Sequence, residues 1–306
     1  MGILVIGATF VDIKGFPYDN YLPTGRNAGR VEYVHGGVAR NVVEDIANIE
    51  LRPTFLSIVD DTPMGDAVVQ KLRNHKVNTD YVLTRPDGMG TWLAVFDNNG
   101  DVAGSISKRP NMYPIAELLT EKGEEIFSKV SSVVLEIGLD KEIVKSTLSL
   151  AKTHHVKALA LVANMSIAAE RRDLLQQFDC VICNQQEAGI LFLDDYEGKT
   201  PEEMRDILAQ RIQAARIPSM VVTMGAEGAV YASVLGEAGI CPARKVQVKD
   251  TTGAGDAFCA GVAIGMTYGK TMAESVEIGT TLAASVITSS ENVCPRFLPE
   301  ELGIRL

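Results

Sequence analysis

Six short apolar runs recur along this chain, at Ile3, Pro53 to Val59, Val133 to Ile137, Ala158 to Val162, Cys180 to Cys183 and Met220 to Val222, with helical segments between them. Strand-like runs that alternate with helices predict a parallel sheet covered by helices on both faces, an α/β architecture. With 306 residues, 46% of them hydrophobic, the chain can bury a large core. One domain with a smaller appended piece is therefore expected rather than two equal domains. No internal repeat, low-complexity tract or splitting linker interrupts the pattern.

Two stretches break the alternation. Val11 to Val34 is rich in Pro, Gly and Tyr, and Met89 to Ser107 reads as a hairpin that turns at Asp97-Asn98-Asn99-Gly100-Asp101. Asn-Gly is a strong hairpin signal, and so small a sheet must cover something, since it cannot stand alone in water.

Near the C-terminal end, Asp250-Thr251-Thr252-Gly253-Ala254-Gly255-Asp256-Ala257-Phe258 gathers two close-approach glycines, two hydroxyls and carboxylates. Val246 and Val248 before it alternate with polar residues as a half-buried strand does, whereas Ala257 to Met266 is apolar on every face, as a buried helix is. The Gly253-Ala254-Gly255-Asp256 segment then lies at a helix N-terminus, where unpaired N–H groups and the helix dipole favour a phosphate. Asp256 at that mouth is the candidate general base for an attacking alcohol, and the dipole is expected to keep it ionised.

This string resembles the C-terminal signature of the ribokinase (PfkB) family of sugar and nucleoside kinases. Further segments follow that family's order: Ile3 to Gly7 leading to Asp12, Gly36-Gly37 followed by Asn41, Asn184-Gln185-Gln186-Glu187, and Thr223 to Gly228. The resemblance implies a ribokinase-like three-layer α/β/α sandwich spanning residues 1–306, with a mostly parallel central sheet. It also implies a small β-sheet lid from about 12–34 and 89–107 that closes over the substrate and pairs with the lid of a second subunit in a homodimer. It makes Asp12, Gly36, Gly37, Asn41 and Glu136 the substrate-binding residues, Asp256 the base and Gly253, Ala254 and Gly255 the anion hole. ATP would lie along Thr223, Gly225 and Gly228, with Thr252 and Asn292 also at the nucleotide.

Asn184 and Glu187 would organise Mg2+, in the main through water. Both fall on a strand-to-helix turn where three-residue spacing puts their oxygens on one side, and one amide with one carboxylate suits an ion that keeps several waters. Asp250 and Thr252 are candidates for a monovalent cation such as K+, although Glu291 stands where potassium-activated members commonly have a small residue.

Composition limits the partners. A formal charge of −10, from 29 basic and 39 acidic residues, argues against broad nucleic-acid or anionic-membrane binding, while a local cradle of N–H groups can still hold ATP. The absence of a run of about 18 apolar residues and of a leader pattern makes the cytoplasm the expected place. Five cysteines fit reduced thiols, and the odd separation of Cys180 and Cys183 on a strand sends them to opposite faces. Gly265 to Thr271 nearly spells a P-loop, but its glycines are one residue too close, so it reads as a helix end and turn. His154-His155, in a helix-to-strand connection with no acidic partner at metal spacing, reads as solvated, and His35 could touch substrate.

For the substrate, Gly36 to Asn48 and Ser289 to Pro295 are similar to the pseudouridine kinase branch, whereas Lys108-Arg109-Pro110-Asn111-Met112 departs from it. Ala163-Asn164-Met165-Ser166 lacks the Asp-x-Asn-Pro type of run common in ribokinases. The expected activity is ATP-dependent phosphorylation of a primary hydroxyl on a ribose-like sugar or nucleoside. One alternative is a sugar-phosphate kinase, with Lys108 and Arg109 gripping the phosphate. Another is a non-catalytic ligand sensor with a kinase fold.

Overall fold

The computed structural model describes residues 1–162 and 165–305, so the Ala163-Asn164 pair singled out above lies outside the described residues. In chain order the first elements are β1 (Ile3–Ile6), β2 (Phe10–Pro17), β3 (Gly29–Gly36), α1 (Val38–Asn48), β4 (Thr54–Val59), α2 (Pro63–Asn74) and β5 (Asn78–Thr84). Next come β6 (Gly90–Phe96), β7 (Val102–Lys108), α3 (Tyr113–Phe127), β8 (Ser132–Glu136), α4 (Lys141–Thr153) and β9 (Lys157–Leu161). They are followed by α5 (Met165–Ala169), α6 (Arg172–Leu175), β10 (Cys180–Asn184), α7 (Gln185–Phe192), α8 (Pro201–Ala215) and β11 (Ser219–Thr223). β12 (Ala229–Ser233), β13 (Ala238–Cys241), α9 (Ala254–Thr267) and α10 (Met272–Ile287) complete the series.

Strands β1, β8, β10 and β11 are apolar throughout or nearly so because they are buried on both faces, as strands of covered parallel sheets are. Successive side chains then enter two different cores. Leu4, Ile6, Val133 and Leu135 pack with α3, α4 and α8, whereas Ile3, Val5 and Val134 pack with α1, α2 and α9. The strand order β13-β12-β11-β10-β9-β8-β1-β4-β5 forms a nine-stranded sheet. Its pairs from β5 to β11 are parallel, and the β11–β12 and β12–β13 pairs are antiparallel. This is the three-layer α/β/α sandwich expected from the alternation. Cys180 faces one core and Cys183 the other, and all five cysteines are free.

Both irregular stretches form a second, four-stranded sheet in the order β3-β2-β6-β7. Asp97 Oδ1 accepts from the N–H groups of Asn99 and Asp101, at 2.8 and 3.0 Å, and fixes the β6–β7 turn. Asn98 ties the two hairpin tips together by accepting from Tyr21 N–H at 2.7 Å and donating to Asp19 O at 2.9 Å. A stacked Phe16–Phe96 pair 4.7 Å apart, capped by Arg30 over the Phe16 ring, stiffens the sheet.

Two expectations fail. The segment with Val246 and Val248 is not a strand. It follows the edge strand β13 with no neighbouring ladder, leaving Val248 56% exposed, and alternation without a partner strand cannot make a sheet. His154 is not simply solvated, because its Nε2 lies 2.6 Å from Glu124 Oε2 on the adjacent α3. The near-P-loop is, as expected, the end of α9 and the cap of α10. No helix among the described residues is long and apolar enough to cross a membrane.

Candidate active site

Helix α9 begins at Gly253, whose φ of 83° is left-handed backbone that favours glycine. A Cβ there would also collide with the carbonyl of Asn292. Ala254 N–H bonds back to Thr251 O at 3.2 Å and Ala257 N–H to Gly253 O at 2.9 Å, so the first-turn N–H groups of Gly255 and Asp256 are left for a ligand by helix geometry. Gly255 has open space where a Cβ would stand. These are the features of an anion hole, and Asp256 stands beside it.

The side expected to hold the substrate is built by the chain crossing from β1 through the small sheet into α1. Asp12 lies on β2 opposite Trp92 of β6, and Gly36 leaves the space that its carboxylate fills. Gly37 caps α1 with φ 98°, and a Cβ there would press to 2.7 Å from Ala8 O. One helical turn into α1, Asn41 Nδ2 donates to Asp256 Oδ2 at 2.6 Å, joining the two ends of the chain. Glu136, at the end of β8, accepts from Ala8 N–H at 2.9 Å. Asp12, Gly37, Asn41, Glu136 and Asp256 therefore line a cavity of about 650 Å3 together with the apolar side chains of Phe10, Trp92, Pro110, Met112 and Leu139.

The electrostatics correct one expectation. Asp256 is not held firmly ionised: its carboxyl is pushed up to about 7, first by burial and then by Glu136 and Asp12, against the lowering pull of Asn41 and Arg40. The Asp12 carboxyl is also raised, by burial, with Lys14 and Arg40 pulling it back. Burial raises Glu136 as well, offset in part by the Ala8 N–H and Arg109. Three crowded carboxyls thus resist ionising together.

On the side expected to hold the nucleotide, parallel pairing sets Asn184 beside Thr223 at the C-terminal edge of the sheet, where open α/β sheets bind ligands. Gly225 and Gly228 follow in a short 3-10 turn with φ of 57° and 96°. Asn184 and Glu187 form a reciprocal capping box at 2.8 Å in both directions, so each spends one oxygen or amide on the start of α7. Burial raises the Glu187 carboxyl, and a partly buried carboxylate with no cationic partner among the described residues fits a magnesium site. Asp250 Oδ1 accepts from Thr252 N–H at 2.9 Å, which lowers its carboxyl. No group of three or more His, Cys, Asp or Glu side chains among the described residues forms a closed metal cage. Asn292 Nδ2 donates to His35 O at 3.1 Å and to Asn41 Oδ1 at 3.3 Å, which ties it to β3 and α1.

The basic pair separates. Lys108 Nζ bonds Asp87 at 2.7 Å on the surface, while Arg109 lines the cavity, so no joint grip on a phosphate forms. His35 contributes its carbonyl to Arg40 and Asn292. Sequence reasoning missed Trp92 and Phe10 as cavity walls and Arg40 as a buried cation, since burial has no local sequence signature. It also missed Lys14, two residues beyond Asp12 and so on the same face of β2. The charge of Lys14 reaches both Asp12 and Asp250.

Comparison with known proteins agrees with this geometry. A family model described as pfkB family carbohydrate kinase matches residues 2–294. The chain is 33% identical over 292 residues to a guanosine-inosine kinase from Exiguobacterium acetylicum, covering 95% of both chains. It is 27% identical over 276 residues to a pseudouridine kinase from Escherichia coli, covering 90% of this chain and 86% of that one. Arabidopsis thaliana ribokinase, solved with ribose and ATP, superposes with a TM-score of 0.87 at 20% identity over 98% of this chain and 97% of that chain.

Proposed function

The chain belongs to the pfkB family of carbohydrate kinases, and from that premise we propose that it transfers the γ-phosphoryl group of ATP to the primary hydroxyl of a ribonucleoside in the cytoplasm. One observation carries the nucleoside reading: polar and apolar side chains line the same cavity. Asp12, Asn41 and Glu136 offer acceptors and a donor for ribose hydroxyls, while Phe10, Trp92 and Met112 offer the flat apolar surface that a heterocyclic base needs and a free sugar does not.

In this reading the hydroxyl is oriented against Asp256. As the new O–P bond forms and the bond from the γ-phosphorus to the bridging oxygen breaks, Asp256 takes the hydroxyl proton and ADP leaves. The first-turn N–H groups of α9 receive the developing charge on the transferred group. Asn184 and Glu187 would hold Mg2+, which neutralises phosphate charge when bound, and Asp250 and Thr252 are the candidates for K+. Thr223, Gly225 and Gly228 would flank the nucleotide, with Thr252 and the Gly253–Gly255 turn at its phosphates. The small sheet, 12–34 with 89–107, would close over the cavity and exclude water. Its exposed Val31, Tyr33, Val102 and Ile106 suit burial against a second copy in a homodimer.

The test is ADP release with ATP and Mg2+ across guanosine, inosine, pseudouridine, uridine, adenosine, ribose and fructose 1-phosphate. A kcat/KM at least about tenfold higher for a nucleoside than for ribose is expected, equal to about 1.4 kcal/mol of base contact. Turnover confined to the sugar phosphate would move the weight to Arg109. Binding without ADP release would leave a sensor.

A further inference from the structure

We infer that Arg40 is a positioning residue: it fixes which way the Asn41 amide points, and thereby the hydrogen bond that Asp256 receives. The inference rests on Asp256 being the base of the proposed reaction. Arg40 is the largest fully buried side chain, 1% exposed, in the helix that opens at Gly37. Its Nη2 donates to both His35 O and Asn41 Oδ1, and its Nη1 donates to Glu44 Oε2 at 2.5 Å. Glu44 Oε1 in turn meets Lys71 Nζ at 2.8 Å, on the wall of a separate cavity of about 530 Å3 behind α1. Burial raises the Glu44 carboxyl, but Arg40 and Lys71 more than offset this and hold it below its ordinary range. The buried guanidinium is thus neutralised from behind, and its Nη2 is turned toward His35 O and Asn41 Oδ1, while Nε is left without a hydrogen-bond partner among the described residues.

A guanidinium can only donate. Asn41 Oδ1 accepts from Arg40 and from Asn292 Nδ2, and Asn292 is itself oriented by donating to the His35 carbonyl. Both donors demand an oxygen from Asn41, which leaves its Nδ2 facing Asp256 Oδ2 at 2.6 Å. Turned over, the amide would set N–H against N–H on one side and oxygen against carboxylate on the other. The groups that face Asp256 come from several elements: Arg40 and Asp45 from α1, Glu136 from β8, Asp12 from β2 and Cys259 from its own helix. Arg40 is the cation whose charge lowers the Asp256 carboxyl, while Arg109, on the same cavity, acts on Glu136; Arg40 thus favours the ionised carboxylate both directly and through Asn41. The base accordingly depends on a residue that touches neither it nor the substrate.

The experiment follows the 13Cγ resonance of Asp256, assigned by its loss in Asp256→Asn, through a pH titration of the protein alone. Arg40→Met combined with Glu44→Gln removes both buried charges together and spares the fold an unpaired carboxylate. In this variant the Asp256 midpoint should rise by about one unit or more, and the acid limb of kcat/KM for guanosine should rise with it. An unchanged midpoint overturns the inference. Arg40→Lys retains the charge but not the fork, so turnover should fall at least about tenfold with a midpoint between the other two. Wild-type turnover in Arg40→Lys overturns the positioning role. If Asp256→Asn keeps full turnover, the base assignment fails instead, and the titration still reports on Arg40.

Discussion

Asp256 should weaken the fold it serves. In an unfolded chain its carboxyl would titrate near the ordinary 3.8, and in the folded protein it is raised to about 7, chiefly by burial. Between those values the folded state holds a proton that the unfolded state has released, so ionisation costs stability progressively as pH rises and the cost levels off above about 7. At about 1.36 kcal/mol per unit, the penalty is about 0.6 kcal/mol at pH 4, roughly 1.5 kcal/mol at pH 5 and about 4 kcal/mol at pH 8. These are upper limits, since the carboxyl opens onto the cavity and its water. Asp256→Asn has nearly the same shape, can still accept from Asn41 Nδ2 and carries no charge, so it should be more stable than wild type by an amount that grows with pH. For a chain of this length the gain corresponds to about 6 °C in Tm at pH 8 and about 2 °C at pH 5. Relief of Glu136 and Asp12 from the neighbouring charge acts in the same direction. Thermal melts of both proteins at pH 5 and 8 test this, and a stability difference that stays constant with pH, or a variant less stable at pH 8, would refute the reasoning.

The same value predicts an acid limb in kcat/KM with a midpoint near 7 in the free enzyme, read from initial rates between pH 5 and 9; Asp256→Asn should remove the limb and lower turnover by roughly 10² to 10⁴. Gly253→Ala forces a side chain into left-handed backbone and onto the Asn292 carbonyl, so a loss of about 1–3 kcal/mol in urea unfolding is expected, together with a turnover loss that exceeds any change in nucleoside KM. Trp92→Ala should raise KM for a nucleoside about 10- to 100-fold, if base stacking contributes roughly 1–3 kcal/mol, with little effect on a bare sugar in the same assay. Lys108→Ala, which breaks only a surface pair with Asp87, should change kcat/KM less than about twofold, whereas Arg109→Ala should change it more.

Much of the sheet was legible because its central strands are apolar on both faces, so each announces itself as an uninterrupted run. Cys180 and Cys183 illustrate the reach of periodicity: their separation alone sends them to different cores, where the structure has them. The hairpin at 97–101 was equally readable, since its turn is made by side chains local in sequence. Val246 and Val248 misled because alternation describes one strand and says nothing of a partner. The ionisation of Asp256 misled because the helix dipole is a local property, whereas Glu136, Asp12 and the burying surface arrive from distant segments. Arg40 was invisible for the same reason, since a charged residue in an amphipathic helix ordinarily faces water. Lys108 and Arg109 are neighbours in sequence but not in environment, and only the end of β7 decides which one enters the cavity.

The hydrogen bond from Asn41 to Asp256 spans 215 positions of sequence. A ribosome releasing this polypeptide in order would therefore emit the proposed hydroxyl-binding residues long before the proposed base and anion hole exist, so on that assignment no early folding product could turn ATP over to water or to a wrong alcohol. Activity should return during refolding only with the docking of α9 against α1, later than the near-complete recovery of helical signal, which makes phosphoryl transfer a stringent reporter of the final assembly step.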